Sequence, residues 1–281
     1  HPLKKGIVLT GVSVLIMMVL IKGFFTGILG NFGLAYFNPE QLVKLEGVTE
    51  FFAVEYASLA ILMFAAIASW LSPAWVVAME NAPWQDMKQP ARGFSIIILT
   101  FFLSTIVYFV TMHSHMAILY HPWQEFTAIT PPYWQDFANT VSGNFHVAWI
   151  MCCTVVVWLV ETIWERYPFN LIKNAWARRL ATFFGIILIA LAMHFFLYFA
   201  QELTWGEAVR GTRRAFAPDW RWLHVGELAI FFLVPALFLT FYCNNWPKKF
   251  SMPVNVLIRT GITLIAAAVL YYIYYRTSHL F

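Results

Sequence analysis

Two histidines lie near one end of a long apolar stretch, residues 100–121. Residues two positions apart on a helix point about 200° away from each other, so His113 and His115 cannot both face the same neighbour. His113 continues a stripe of Phe and Ile, and we expect it to face lipid or headgroups. We expect His115 to face protein, because it continues a polar stripe at spacings of three and four residues: Ser104, Tyr108 and Thr111.

Histidines and glutamates recur in the other apolar stretches of the chain, where ionisable side chains are costly and usually functional. Neutral imidazole and carboxylate are the usual protein ligands of iron, copper and zinc. Met112 and Met116 add soft donors that suit copper. The sequence therefore predicts a haem or metal site. Its candidate cofactor-binding residues are His115, His194, His146 and His224, and its candidate metal ligands are His115, His194, His224, Glu227 and Glu55.

The candidates have different expected roles. His115 and His194 are the best pair of axial ligands, because each continues an inward-facing polar stripe, and His146 and His224 are the next pair. The stripe that includes His194 continues through Tyr198, Gln201 and Glu202. Glu227 and Glu55 are expected to pair with a histidine or arginine, since an unpaired buried charge costs several kcal/mol, and to orient a ligating imidazole. The alternative is that these side chains simply meet water or headgroups at helix ends.

The composition predicts the elements that position these residues. The chain is 60% hydrophobic and 11% charged, against about 25% charged residues in an average soluble domain, so lipid must cover much of its surface. Its 281 residues leave room for seven helices of membrane length. We expect an all-α polytopic membrane protein with one transmembrane domain, residues 1–281. The predicted spans are 6–30, 51–77, 94–118, 145–164, 179–203, 223–243 and 255–275.

Three loops resemble one another, around Pro83, Pro168 and Pro247. Each has a Trp near the Pro, then basic residues and an Arg that opens the next span, at intervals of about eighty residues. Two explanations remain open. The chain could contain one helix followed by three repeated helix pairs, as transporters often do, or the loops could merely share the composition of a membrane interface.

Charge predicts the orientation, because cytoplasmic loops are enriched in Lys and Arg. Lys4 and Lys5 precede the first span, which places the N-terminus in the cytoplasm of a cell with an inner membrane and the C-terminus outside. The candidate ligands then fall in the external half of the bilayer. The cytoplasmic loops would hold Lys88, Arg92, Arg166, Lys173, Arg178, Arg179, Lys248, Lys249 and Arg259.

Several function classes are excluded. The net charge of +4 is spread over loops rather than gathered on one face, which argues against nucleic-acid binding. The three cysteines have no CxxC spacing, so neither a disulfide framework nor a thiolate metal site is indicated. The sequence contains no Walker loop, dinucleotide fingerprint, HExxH or GxSxG motif.

The first functional hypothesis is an oxidoreductase subunit that holds haem b or a transition metal, copper or iron. Its aromatic external loops would dock other membrane or periplasmic subunits. The second is a transporter or channel that uses the same polar cluster for substrate or protons, with Pro73 and Pro235 breaking helices near the pathway. The third is a structural subunit of a membrane complex.

Overall fold

The computed structural model describes residues 2–31, 34–44, 48–113, 115–116, 136, 140–207, 209 and 218–277. Over these residues the chain is helical and contains no strand. A π-helix, Leu20–Leu29, continues the first helix, and short 3-10 helices lie at Ala35–Phe37 and Phe169–Leu171. The α-helices are α1 Pro2–Val19, α2 Pro39–Val43, α3 Glu50–Val77, α4 Ala91–Thr111, α5 Gly143–Glu161, α6 Ala175–Trp205, α7 Pro218–Phe241 and α8 Met252–Thr277.

Seven helical segments are long and apolar enough to cross a membrane. They are Gly6–Leu29, Glu50–Val77, Ala91–Thr111, Gly143–Glu161, Ala175–Trp205, Trp220–Phe241 and Met252–Thr277. A helix is the natural solution for such segments, because it satisfies every backbone polar group within itself. The prediction of an all-α, multi-pass membrane protein is therefore confirmed. Most of the loop between α4 and α5, which was predicted to dock a partner, lies outside the described residues.

Neither of the two internal prolines breaks its helix, contrary to the expectation. Pro73 lies inside α3 and Pro235 inside α7, and both helices continue past them. A proline removes one backbone hydrogen bond, but neighbouring helices and local adjustments commonly compensate within a membrane bundle. The predicted helix breaks at these two positions are wrong.

Contacts divide the chain into two units, of which the first comprises residues 1–65 and 108–140. Its core is a cluster of aromatic side chains around Phe37, which is buried. The ring centroid of Phe37 lies 5.3 Å from that of Phe25 and 5.6 Å from that of Tyr108. Phe64 of α3 closes the cluster, at 4.9 Å from Phe25 and 5.9 Å from Tyr108. These rings fix the segment between the first span and α3 against the end of α4.

The second unit comprises residues 66–107 and 141–281. Helix α7 is its centre: α7 packs against α5, α6 and α8, and α5 also packs against α6. Small and β-branched residues allow this close packing, because α5 carries a run of buried side chains, Cys152, Cys153, Val155, Val156 and Val157. A helix that is apolar all round is expected at the interior of such a bundle.

Three turns of the second unit follow the same backbone course. Each contains two consecutive residues other than glycine with positive φ, a conformation uncommon for such residues. The second residue of each pair donates its N–H to the carbonyl oxygen six residues earlier, which caps the end of the preceding helix. The peptide bond before the next proline is cis in each turn. The pairs are Glu80 and Asn81, Glu165 and Arg166, and Asn244 and Asn245.

The hydrogen-bond lengths agree as well. The six-residue bonds measure 3.3, 2.8 and 2.9 Å in chain order, and the next residue in each turn donates its N–H to the carbonyl three residues earlier at 2.9, 2.9 and 3.0 Å. Shared interface composition alone does not specify two successive positive φ angles and the same pair of hydrogen bonds. The geometry therefore shows that the three turns repeat one another, and the three repeated helix pairs stay a prediction.

Arginines tie successive turns together. Glu80 of the first turn accepts hydrogen bonds from Arg178 at 2.7 and 2.9 Å and from Arg179 at 3.2 Å, and both arginines follow the second turn. Glu165 of the second turn accepts one from Arg259 at 2.9 Å, and Arg259 follows the third turn. The same relation thus joins the first turn to the second and the second to the third.

Candidate functional site

His194 is the most deeply enclosed candidate ligand among the described residues, with no exposed surface. Its ring stacks on Trp222 of α7, with centroids 4.6 Å apart and planes at 14°. Phe145 of α5 meets it edge-on, also at 4.6 Å. Two neighbouring helices, α5 and α7, therefore hold the imidazole of α6 in one orientation.

Neither ring nitrogen of His194 has a hydrogen-bond partner in the described part of the chain. Buried polar atoms are nearly always hydrogen-bonded, and each one left unsatisfied costs about 1–3 kcal/mol. Aromatic rings pack against the imidazole of His194, yet both of its nitrogens lack a partner among the described residues. This combination indicates that the nitrogens could bind a ligand.

His146 is the second imidazole of this region. It lies in the first turn of α5 and is 5% exposed. Phe145 contacts both, with its centroid 5.7 Å from that of His146. The structure thus brings together one member of each predicted histidine pair, because α5 and α6 are adjacent.

His115 is buried, as its polar stripe predicted, beside the fully buried Met112 and Met116. It belongs to the first unit, whereas His194 belongs to the second. Their pairing as axial ligands stays a prediction.

The prediction that His113 faces lipid or headgroups is wrong. Its Nδ1 forms a 2.8 Å hydrogen bond with the hydroxyl of Tyr36, a residue with no exposed surface. Tyr36 comes from the 3-10 helix that precedes α2, 77 residues earlier in the chain. The periodicity of α4 could not reveal this contact, because the partner comes from a segment outside the apolar spans.

His224 and Glu227 form a pair on one face of α7, with Nδ1 2.7 Å from Oε2. This confirms the predicted pairing of Glu227. Both side chains keep some exposure, 26% for His224 and 53% for Glu227, and the ring of Trp205 packs edge-on against His224. Glu55 is exposed on α3, and no pairing of its carboxylate with another described residue is found. The expected partner of Glu55 is therefore missing in the described residues.

Among the described residues, no three His, Cys, Asp or Glu side chains come together in a way that could hold a metal ion. His146 and His194 supply two imidazoles. The aromatic enclosure made by Phe145 and Trp222 was missed in the sequence, because neither residue shows a helical periodicity with His194. The one available signal was that both residues stand within two positions of a histidine, His146 or His224.

Comparison of the chain with models of protein families, with curated proteins and with solved structures finds no match to any of them.

Proposed function

We propose that this chain is an integral membrane subunit of a redox system, in which His146 and His194 bind a transition-metal ion between α5 and α6. The observation that carries the proposal is the fully buried imidazole of His194, whose two nitrogens lack a partner among the described residues. Imidazole is a good ligand for copper and iron. A metal would satisfy a nitrogen that is otherwise buried at a cost.

The residues around His146 and His194 would determine the ligand orientation and the access of water to the ion. Trp222 and Phe145 fix the orientation of the His194 ring and keep water away from it. Two protein ligands leave coordination positions free for further ligands. The rings packed around His194 suit an ion better than haem b, since pockets for larger ligands measure about 300–1,000 Å³. A bound copper or iron ion would supply the electron chemistry.

Metal analysis and a visible absorption spectrum of the purified protein test this proposal. We expect copper or iron near one equivalent per chain, and Soret and α bands would instead indicate haem. His194→Ala should reduce the metal content to background. His224→Ala is the matched control and should retain the metal, because His224 is already paired with Glu227. Metal content at background in the wild type, or unchanged in His194→Ala, would contradict the proposal.

A transporter or channel is the second candidate, because two buried polar residues, His194 and Gln201, lie on the same packed face of α6. In that case the purified protein would lack metal, and His194→Ala would instead abolish ion or substrate flux in proteoliposomes.

We further propose that the chain lies in an inner membrane with its N-terminus in the cytoplasm. The support is the row of basic side chains at the three turns, Lys88, Arg166, Arg178, Lys248 and Lys249. The histidine pair lies toward the opposite ends of α5 and α6 and would then face the periplasmic side, where a partner subunit could exchange electrons with it.

A further inference from the structure

Helices α6, α7 and α8 border a cavity of about 240 Å³. Apolar side chains from all three helices form most of its wall, among them Phe196, Phe231 and Leu264. Phe196 and Leu264 also keep 54% and 39% of their surface exposed. Because the three helices have the length and composition of membrane spans, exposed apolar side chains on them meet the hydrocarbon of the bilayer. The cavity is therefore open to lipid.

The cavity runs along the end of α6 that lies opposite the three turns. Its lining residues on this helix begin at Phe196 and end at Trp205, the last residue of α6. Nine residues at a rise of 1.5 Å each give a depth of about 13.5 Å. One leaflet contributes half of a hydrocarbon core that is about 30 Å thick. The cavity is therefore about as deep as the hydrocarbon of one leaflet, which is the depth that an acyl chain spans.

Trp205 and Tyr271 bring two hydrogen-bond donors to the outer part of this wall, where each is the last lining residue of its helix. Neither the indole N–H of Trp205 nor the hydroxyl of Tyr271 has a hydrogen-bond partner among the described residues, and neither atom is buried. Trp and Tyr are typical of the boundary between hydrocarbon and headgroups. The ester and phosphate oxygens of a lipid lie at this boundary and are acceptors, so they complement both donors.

The two other polar side chains of the wall offer a ligand no donor. The hydroxyl of Thr204 already donates to backbone carbonyl oxygens within α6, at 3.0 and 3.2 Å. Gln201 is 2% exposed, its Nε2 donates to two backbone carbonyl oxygens, and its Oε1 is buried. The donors that a ligand can reach are therefore those of Trp205 and Tyr271.

We propose that the cavity binds one acyl chain of a membrane phospholipid, whose ester or phosphate oxygens accept hydrogen bonds from Trp205 and Tyr271. The apolar wall and its depth suit the chain, and the two accessible donors suit the oxygens at its outer end. This inference does not rest on the metal proposal, because neither His146 nor His194 lines the cavity. Metal content and lipid binding can succeed or fail separately.

Native mass spectrometry of the chain in detergent tests the inference, because it counts bound molecules of an added probe, dioleoylphosphatidylcholine. We expect one molecule of the probe to bind more tightly than all further ones. Ala268→Phe places a ring at the wall of the cavity and should weaken this first step by roughly tenfold or more, since losing the burial of about two methylene groups suffices for that. Val269→Phe is the matched control and should bind like the wild type, because Val269 is exposed on the same helix outside the wall.

A second pair of variants tests the polar contacts with little risk to folding. Tyr271→Phe keeps the ring, removes one donor and should weaken the first step by roughly three- to tenfold. Tyr272→Phe should not weaken it, because Tyr272 lies outside the wall and its hydroxyl accepts a hydrogen bond from Arg276.

Melting in the same detergent shows whether each variant is folded, and the probe should raise the melting temperature of the wild type more than that of Ala268→Phe. A first binding step that Ala268→Phe leaves unchanged would overturn the inference. Equal effects of Tyr271→Phe and Tyr272→Phe would overturn the assigned hydrogen bond.

Discussion

Glu80 lies in the first of the three turns, and its ion pairs make the stability of the fold depend on pH. The hydrogen bonds from the Arg178 guanidinium hold the pKa of Glu80 below its ordinary value of 4.5, while partial burial acts in the opposite direction and the charges of Arg178 and Arg179 reinforce the lowering. A carboxyl group whose pKa is lower in the folded state stabilises the fold only while it is ionised.

We expect Glu80→Gln to lower the melting temperature at neutral pH. The stabilisation by Glu80 is fully present above the unfolded pKa, near 4.5, and is lost as the pH falls through the lower folded pKa. The melting temperatures of wild type and variant, measured in detergent, should therefore converge as the pH is lowered below 4.5. The exposed Glu207 gives the control, since Glu207→Gln should change the melting temperature little at any pH. A difference that stays constant through the acid range would contradict this account.

The residues of α4 and of the segment that follows it, up to His115, illustrate what periodicity can and cannot predict for single side chains. Ser104, Tyr108 and His115 are all buried, as the polar stripe indicated, and Phe102 and Ile106 are exposed. His113 departs from the exposed stripe because the 3-10 helix places the Tyr36 hydroxyl beside its Nδ1. Periodicity describes one helix, whereas the hydrogen bond depends on a segment that is distant in sequence.

At the scale of the elements, the turns are joined by interactions of unequal strength. Arg259 of α8 is 1% exposed and donates to Glu165 and to the carbonyl oxygens of Ile163 and Pro247. Arg166 and Glu161 form a pair with two hydrogen bonds, at 2.7 and 3.1 Å, but with 39% and 35% of their side chains exposed. Both arginines form an ion pair, and the two pairs differ in that Arg259 is buried whereas Arg166 is partly exposed.

Arg259→Met should destabilise the second unit by about 2–3 kcal/mol, because it leaves the backbone carbonyls of Ile163 and Pro247 without this buried donor and removes one of the two donors to Glu165. Melting in detergent should fall by roughly 5–10 °C. Glu161→Gln is the matched control, with an expected loss of about 0–1 kcal/mol for a partly exposed pair. If the two variants melt at the same temperature, the buried arginine does not tie the second turn to the third.

At the scale of the whole molecule, the seven apolar segments make the chain a multi-pass membrane protein. Its orientation is a proposal that rests on charge, and the second unit offers natural reporters for both sides. The turn at Cys243 contains an exposed native thiol, whereas Cys152 and Cys153 are buried. Glu207, beyond the end of α6, is exposed toward the opposite end of the helices.

We expect a membrane-impermeant maleimide to label a Glu207→Cys, Cys243→Ser variant in intact cells. Native Cys243 should react only after permeabilisation, because the proposed orientation places the three turns in the cytoplasm. Cys243→Ser without a new cysteine is the blank. Labelling of Cys243 in intact cells would invert the orientation and place the histidine pair on the cytoplasmic side.

The sequence by itself determined the class of the fold. Seven apolar stretches of membrane length must become helices in lipid, since each residue's backbone groups have to be satisfied locally. The similarity of the loops at Pro83, Pro168 and Pro247 was also visible, because composition and spacing are properties of the sequence. The sequence could not show whether the three loops share one backbone course, which required the φ angles and hydrogen bonds of the turns.

Only the tertiary structure decided which polar residues meet. The sequence named His146 and His194 but assigned them to different pairs, whereas α5 packs on α6 and its Phe145 contacts both imidazoles. The tertiary structure likewise shows Trp222 stacked on His194 and Tyr36 bonded to His113. The physical reason is that periodicity specifies which face of a helix is buried, whereas contacts depend on how helices pack and rotate against one another.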